Sequence, residues 1–280
     1  MTLSPTDQLV YTTVKITTRS ANGSGSGTGF FFRFCESDEH HIPAIVTNKH
    51  VIEGAVDGEI SLCVRDKESD TPKIGTFHTV QIPDFEKLWI KHPENNVDLA
   101  VLPLAPLLKF LEKDSITPFF IAFSKQVLAD DKFLAQLQAL EDIVMIGYPI
   151  GLWDSVNNMP IIRRGCTATP PFIDFNGEPL FLIDCACFPG SSGSPVLLFN
   201  TSGYMDKSGN TSLGGIRVKL LGVLFAGPQF TAKGEIKVQP VPTNNIPIAE
   251  SKIPINLGYC VKATQLDWFE EYFRAEGSFP

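Results

Sequence analysis

Short apolar stretches, many rich in β-branched residues and broken by Gly and Pro, recur along most of the 280-residue chain. Val10-Tyr11-Thr12-Thr13-Val14-Lys15-Ile16 has the length and branching of a strand. Ala44 to Thr47, Ile60 to Val64 and Asp98 to Leu102 read the same way. So do Ile143 to Gly147, Phe181 to Cys187, Val196 to Phe199, Lys219 to Phe225 and Gly258 to Lys262 in the second half. Many short strands between turns predict an all-β sandwich or barrel. Two segments depart from this pattern. Gln126 to Leu140 carries Val127, Leu128, Phe133, Leu134, Leu137 and Leu140 at near-helical spacing, which predicts a helical connection between two β halves. Near the end, Thr264 is placed to cap a helix with Leu266, Phe269 and Phe273 on one face. The Gly/Ser run from Ser20 to Gly29 has a linker's composition, but it opens into Phe30-Phe31-Phe32-Arg33-Phe34, so a loop entering a strand is expected. It lacks both Gly-x-Gly-x-x-Gly spacing and a following Gly-Lys-Ser/Thr, which removes a phosphate-binding loop.

Composition narrows the class. With 43% hydrophobic and 19% charged residues the chain is an ordinary globular mixture, long enough for two domain-sized units or one two-barrel enzyme. A net charge of −8 lacks the basic footprint of a nonspecific nucleic-acid binder. No apolar run approaches the ~18 residues of a membrane span. Met1-Thr2-Leu3-Ser4-Pro5 has neither the basic nor the apolar region of an export signal, so a cytoplasmic location is expected. In that reducing setting Cys35, Cys63, Cys166, Cys185, Cys187 and Cys260 should be free thiols packed as small hydrophobes. Cys185-x-Cys187, and Cys35 with His40 and His41, hint at a metal, but no second close pair has zinc-site spacing. No metal and no cofactor are expected.

The candidate chemistry lies in Gly190-Ser191-Ser192-Gly193-Ser194-Pro195, Thr47-Asn48-Lys49-His50-Val51 and Asn96-Val97-Asp98-Leu99-Ala100. Gly190 allows a turn in which its own N–H and that of Ser192 face one point, forming an oxyanion hole. Gly193 clears space for substrate backbone, and Pro195 stiffens the exit into a strand. Alone, this motif is also an ordinary Gly/Ser turn. His50 follows an apolar strand, and Asp98 heads another, where an aspartate needs a partner for its charge. A histidine Nδ1–H is such a partner. Ser192 would attack a carbonyl, His50 would carry the proton, and Asp98 would steady the imidazolium. The order His, Asp, Ser differs from that of the α/β-hydrolases and of the subtilisins.

With Thr28-Gly29-Phe30, Ile146-Gly147-Tyr148-Pro149-Ile150-Gly151, Gly222-Val223 and Leu257-Gly258-Tyr259, these motifs resemble a trypsin-like serine peptidase of the chymotrypsin fold, nearest the high-temperature-requirement branch. The resemblance covers roughly residues 8 to 275 and is weakest over 108–140 and 200–256. It implies two six-stranded antiparallel β-barrels joined by a helical connection. Residues 8–112 would carry His50 and Asp98, residues 113–262 would carry Ser192, and 263–280 would form a C-terminal helix and tail. Ser191 stands where digestive enzymes have an aspartate that pairs with a newly cut N-terminus, so zymogen cleavage is not expected. With Pro280 as the last residue of this sequence, the branch's PDZ domain is not expected. By position, Ala186 would floor the primary pocket, with Phe225, Ala226 and Gly227 on its wall. A methyl floor offers nothing to a Lys or Arg, so a small or aliphatic residue before the cut is expected. The resemblance thus implies an endopeptidase with a polypeptide substrate. A catalytically silent binding module on the same fold and an esterase are the alternatives. Oligomeric state is not specified by these features.

Overall fold

The computed structural model describes residues 3–21, 23–38, 40–227, 229–235 and 248–277; for Ala226, 229–235 and 248–254 it describes the backbone alone. The first half holds β1 (Thr13–Ser20), β2 (Gly23–Phe34), β3 (Ile42–Thr47), β4 (Asp57–Arg65), β5 (Pro72–Pro83), β6 (Ile90–Lys91), β7 (Ala100–Pro103) and β8 (Phe123–Ser124). They form one sheet in the order β5-β4-β1-β2-β3-β7-β6, with β8 alongside β2. Six of these strands are long and pair antiparallel; β6 and β8 are dipeptides. In β4 the alternation of buried and half-buried residues turns Ile60 and Leu62 onto a core with Val14, Ile16, Ile45 and Phe85, as the two-residue period of a strand requires.

The second half contributes β9 (Asp142–Gly147), β10 (Ile161–Thr167), β11 (Leu180–Asp184), β12 (Pro195–Asn200), β13 (Gly203–Met205), β14 (Thr211–Leu213), β15 (Arg217–Ala226), β16 (Gln229–Glu235), β17 (Ile248–Pro254) and β18 (Leu257–Lys262). Six of them close a barrel, β10-β11-β18-β15-β12-β9, with every pairing antiparallel. β13 with β14 and β16 with β17 are separate two-stranded ribbons. The all-β class and a six-stranded antiparallel barrel are observed as expected; the first half, however, is one eight-stranded sheet with β8 parallel to β2 rather than a second closed six-stranded barrel.

Five α-helices are present among the described residues: α1 (Pro5–Leu9), α2 (Lys49–Ile52), α3 (Ala105–Lys113), α4 (Asp131–Leu134) and α5 (Asp267–Ala275). The helix expected over 126–140 is not continuous. Leu128 runs extended and bridges Leu220, Ala129 N–H donates to the Leu220 carbonyl, and Asp130 starts the one-turn α4 by accepting from Phe133 N–H. Its apolar period is real, because Leu128, Leu134 and Leu137 are all buried, but each docks separately from an irregular chain. The helical part of this connection is instead α3, with Pro106 in its first turn. The Gly/Ser run is also corrected: residues 23–29 belong to β2, hydrogen-bonded to β1 in the register Gly29↔Val14 to Gly23↔Ser20. At the C-terminus α5 forms, but Thr264 does not cap it; a 3-10 turn, Ala263–Leu266, feeds it directly.

One apolar cluster joins the halves. It contains Phe30, Phe32 and Phe34 of β2, Val46, Val101, then Val144, Leu197, Leu220, Val223 and Val261 of the barrel, and Phe269 and Phe273 of α5. Phe34 meets Phe269 and Phe273 at ring distances of 6.2 and 5.3 Å. The buried Glu270 accepts from Cys35 N–H at 2.8 Å, fastening α5 to the end of β2. All six cysteines are free, and burial pushes the Cys187 thiol up to about 12. Among the described residues no helix is long and apolar enough to cross a membrane.

Candidate active site

The register of β3 against β7 sets the first half of the site. Thr47 pairs with Ala100, so the two residues before Ala100 lie opposite the start of α2. Asn48, in extended conformation, turns the chain into α2, and its side-chain amide donates to the Asp98 carbonyl at 2.7 Å. Buried Val97 and Leu99 hold the backbone on either side of Asp98. The carboxylate then takes two bonds from His50, one from the backbone N–H at 3.2 Å and one from Nδ1 at 2.5 Å. A carboxylate at Nδ1 keeps the proton there, so Nε2 presents a lone pair. Strand β7 begins two residues after Asp98 rather than at it.

The second half of the site is the tight turn before β12. Gly190 and Gly193 have φ of +85° and +86°. A Cβ at Gly193 would sit 1.8 Å from the Thr28 carbonyl oxygen, so only glycine lets β2 pass this close. Thr28 stitches the turn to the first half: its N–H donates to the Ser192 carbonyl at 2.8 Å, and its hydroxyl donates to the Gly190 carbonyl at 3.0 Å while accepting from Tyr148 N–H. Thr47 Oγ1 donates to the Thr28 carbonyl at 2.6 Å.

Ser192 Oγ donates to the Phe225 carbonyl at 3.3 Å, not to the imidazole. His50 and Ser192 nevertheless line one cleft of about 370 Å³, together with Ser26, Glu53, Pro189 and Gly190. Neither the Gly190 nor the Ser192 N–H has an acceptor among the described residues. The Pro189 carbonyl accepts from Ile150 N–H, and in a trans peptide the N–H points opposite the carbonyl, so this bond turns the Gly190 N–H away from Ile150.

The sequence-predicted pocket residues also converge. Gly227 lies against Cys187 and the Leu257 carbonyl, so the 225–227 segment faces the 185–187 segment. Phe225 is half-buried; Ala226 pairs with Tyr259 through its backbone, and its side chain lies outside the described residues. Ala186 is half-buried, and its carbonyl accepts from Arg163 at 2.5 Å. The same Arg163 nitrogen reaches Ser191 Oγ at 3.0 Å. Arg163, Asn48 and the Thr28 hydroxyl are the partners that the sequence reading missed. The signal for Arg163 was the two-residue period of β10, which places it on the face of Ile161 rather than that of exposed Ile162 and Arg164.

Among solved structures, an HtrA-type protease, AlgW, with tripeptide is 14% identical, with a TM-score of 0.49, over 96% of this chain and 62% of its own. A serine endoprotease from Yersinia pestis is 16% identical, with a TM-score of 0.47, over 96% and 64%. A protease from M. tuberculosis in its active form is 15% identical, with a TM-score of 0.43, over 96% and 86%. The chain therefore spans less than two thirds of the first two. No curated protein matches the sequence significantly. The trypsin-like peptidase domain, however, matches continuously over residues 27–204, a stretch that takes in His50, Asp98 and Ser192. On that match the chain belongs to the trypsin-like peptidase domain family.

Proposed function

We propose that this chain is a serine endopeptidase in which Ser192, His50 and Asp98 act as nucleophile, base and orienting carboxylate. The supporting observation is the meeting of an Asp98-bound imidazole and Ser192 in one cleft beside two amides without acceptors. A bound peptide draws the hydroxyl from the Phe225 carbonyl to His50 Nε2, which takes its proton as Oγ attacks the scissile carbonyl. The Gly190 and Ser192 N–H groups receive the oxyanion. His50 then protonates the leaving amine, and water releases the acyl group by the same steps in reverse roles.

We further assign residues 8–112 and 113–262 as the segments that carry His50 with Asp98 and Ser192, respectively, the second lending Phe123–Ser124 to the first sheet, with 263–280 as the C-terminal segment, in a cytoplasmic protein. The pocket reading follows from Ala186: its methyl gives a basic side chain nothing to pair with, and the Arg163 guanidinium behind its carbonyl repels one. Small and aliphatic residues before the cut are favoured, and Lys and Arg are rejected. A fluorophosphonate probe should label wild-type protein at Ser192 and leave Ser192→Ala unlabelled, with turnover reduced by roughly four to six orders of magnitude. A peptide-library profile dominated by Lys or Arg would refute the pocket. Absence of labelling would identify a silent binding module, and cleavage of small esters alone an esterase.

A further inference from the structure

Arg163 is an anomaly in the barrel. It stands on β10, opposite Met145 of β9, and its side chain runs inward beneath the turn that carries Ser192. One terminal nitrogen grips the Ala186 carbonyl at 2.5 Å and the fully buried Ser191 hydroxyl at 3.0 Å. These two acceptors lie near opposite ends of the 186–192 segment, so one cation ties both. Its Nε and second terminal nitrogen are buried and have no hydrogen-bond partner, and it forms no ion pair among the described residues. The nearby Cys185 and Cys187 provide no counter-charge, because burial raises both thiols and keeps them neutral. Burial lowers the guanidinium's own proton affinity, but arginine starts so high that it stays charged.

A side chain chosen for stability alone would be apolar here, since an unpaired buried charge is costly and a well-packed hydrophobe is not. The arrangement makes sense as a clamp. Ser191 directly precedes Ser192, its carbonyl and N–H are tied to Ser194 N–H and the Phe188 carbonyl, and Gly190 precedes it. A slip of the Ser191 side chain would therefore turn the peptide units on both sides of it, those of the cleft-lining Gly190 and Ser192. Ile150 holds the turn at Pro189 and Thr28 holds it at Gly190 and Ser192, but these are neutral contacts; Arg163 is the charged attachment, delivered from β10.

We propose that Arg163 is a positioning residue that holds the Ala186–Ser192 turn in its reactive shape, so that the rate of chemistry at Ser192 depends on this cation. The proposal rests on the serine-peptidase reading above. Both bonds leave one terminal nitrogen, so a lysine could replace them only by bringing its ammonium, on a shorter and more flexible stem, to that same point.

The test compares wild type with Arg163→Met and Arg163→Lys, using fluorophosphonate labelling of Ser192, peptide kcat and KM, and thermal midpoint. Expected for Arg163→Met is an unchanged or higher midpoint, with labelling and kcat lowered about 10- to 100-fold, the scale of a small misplacement at a reacting centre. KM should move far less than kcat. Arg163→Lys should fall between, and millimolar guanidinium should restore part of the Met variant's labelling. Full labelling and kcat in Arg163→Met would overturn the proposal. A readout that needs no activity separates this failure from failure of the peptidase reading. Ser191→Asp should raise the thermal midpoint when Arg163 is present and lower it in Arg163→Met. Equal shifts in both backgrounds would overturn the clamp even in a protein that never labels.

Discussion

A methyl group added at Gly27 would lie 2.5 Å from Cγ1 of Val51, the residue after His50. Valine is stiff about its single χ angle, so α2 rather than the side chain would give way. Gly27→Ala is accordingly expected to lower stability by about 1–3 kcal/mol and to slow labelling of Ser192, because the displaced turn carries the imidazole. Chemical denaturation paired with probe kinetics checks both effects; a stability loss with unchanged labelling would detach Gly27 from the site. At this scale the sequence was legible where a residue's job is local. His50 and Asp98 each sit beside a short apolar strand, and the glycines around Ser192 mark their turn. Arg163 was legible only as to its face: the period of β10 puts it beside Ile161, but an arginine in a strand ordinarily carries its head to water, and nothing local names the Ala186 carbonyl and Ser191 hydroxyl as its partners.

α5 shows how an element can be read correctly and its importance missed. Its apolar face was evident from Leu266, Phe269 and Phe273, yet the spacing could not say that this face closes on β2 of the other half. Phe269→Ala should lower stability by about 3–5 kcal/mol, as removal of a fully buried aromatic does. The loss should appear as faster hydrogen exchange at the end of β2 as well as in α5. Protection unchanged around Cys35 would show that the helix stands apart. Two other elements defeated the periodicity for opposite reasons. Residues 128–137 bury apolar side chains at near-helical intervals without forming one helix beyond the single turn of α4, because their other backbone bonds go to Leu220 and to short turns. Residues 23–29 look like a linker by composition and are a strand, because β1 supplies their hydrogen bonds and crowding from Thr18, Ile45 and Val51 demands glycine.

Across the whole molecule, acid should loosen the junction between the halves. His92 is buried against Trp268 and Phe269, at ring distances of 5.1 and 5.7 Å, and its Nδ1 accepts from Glu94 N–H. Burial first, and then the charge of Lys49, lower its pKa from 6.5, with Glu94 opposing. The unfolded chain therefore takes up this proton more readily than the folded one. The associated stability is complete above about pH 6.5 and is lost as pH falls through the lowered folded value. His92→Asn, which can still accept from Glu94 N–H, should flatten the decline in thermal midpoint between pH 7.5 and 5.5. His41, shifted the same way by burial and Arg33, will leave some slope in place. An identical decline in the variant would clear His92 of the effect. The aromatic and aliphatic cluster that His92 borders runs without interruption from β2 through the barrel to α5. A peptidase in solution is surrounded by copies of itself, and any molecule with one half open offers its neighbours an extended chain to cut. On the proposed endopeptidase reading, a core shared by both halves makes such half-open forms scarce, so the same side chains that join the two sheets would also limit autolysis.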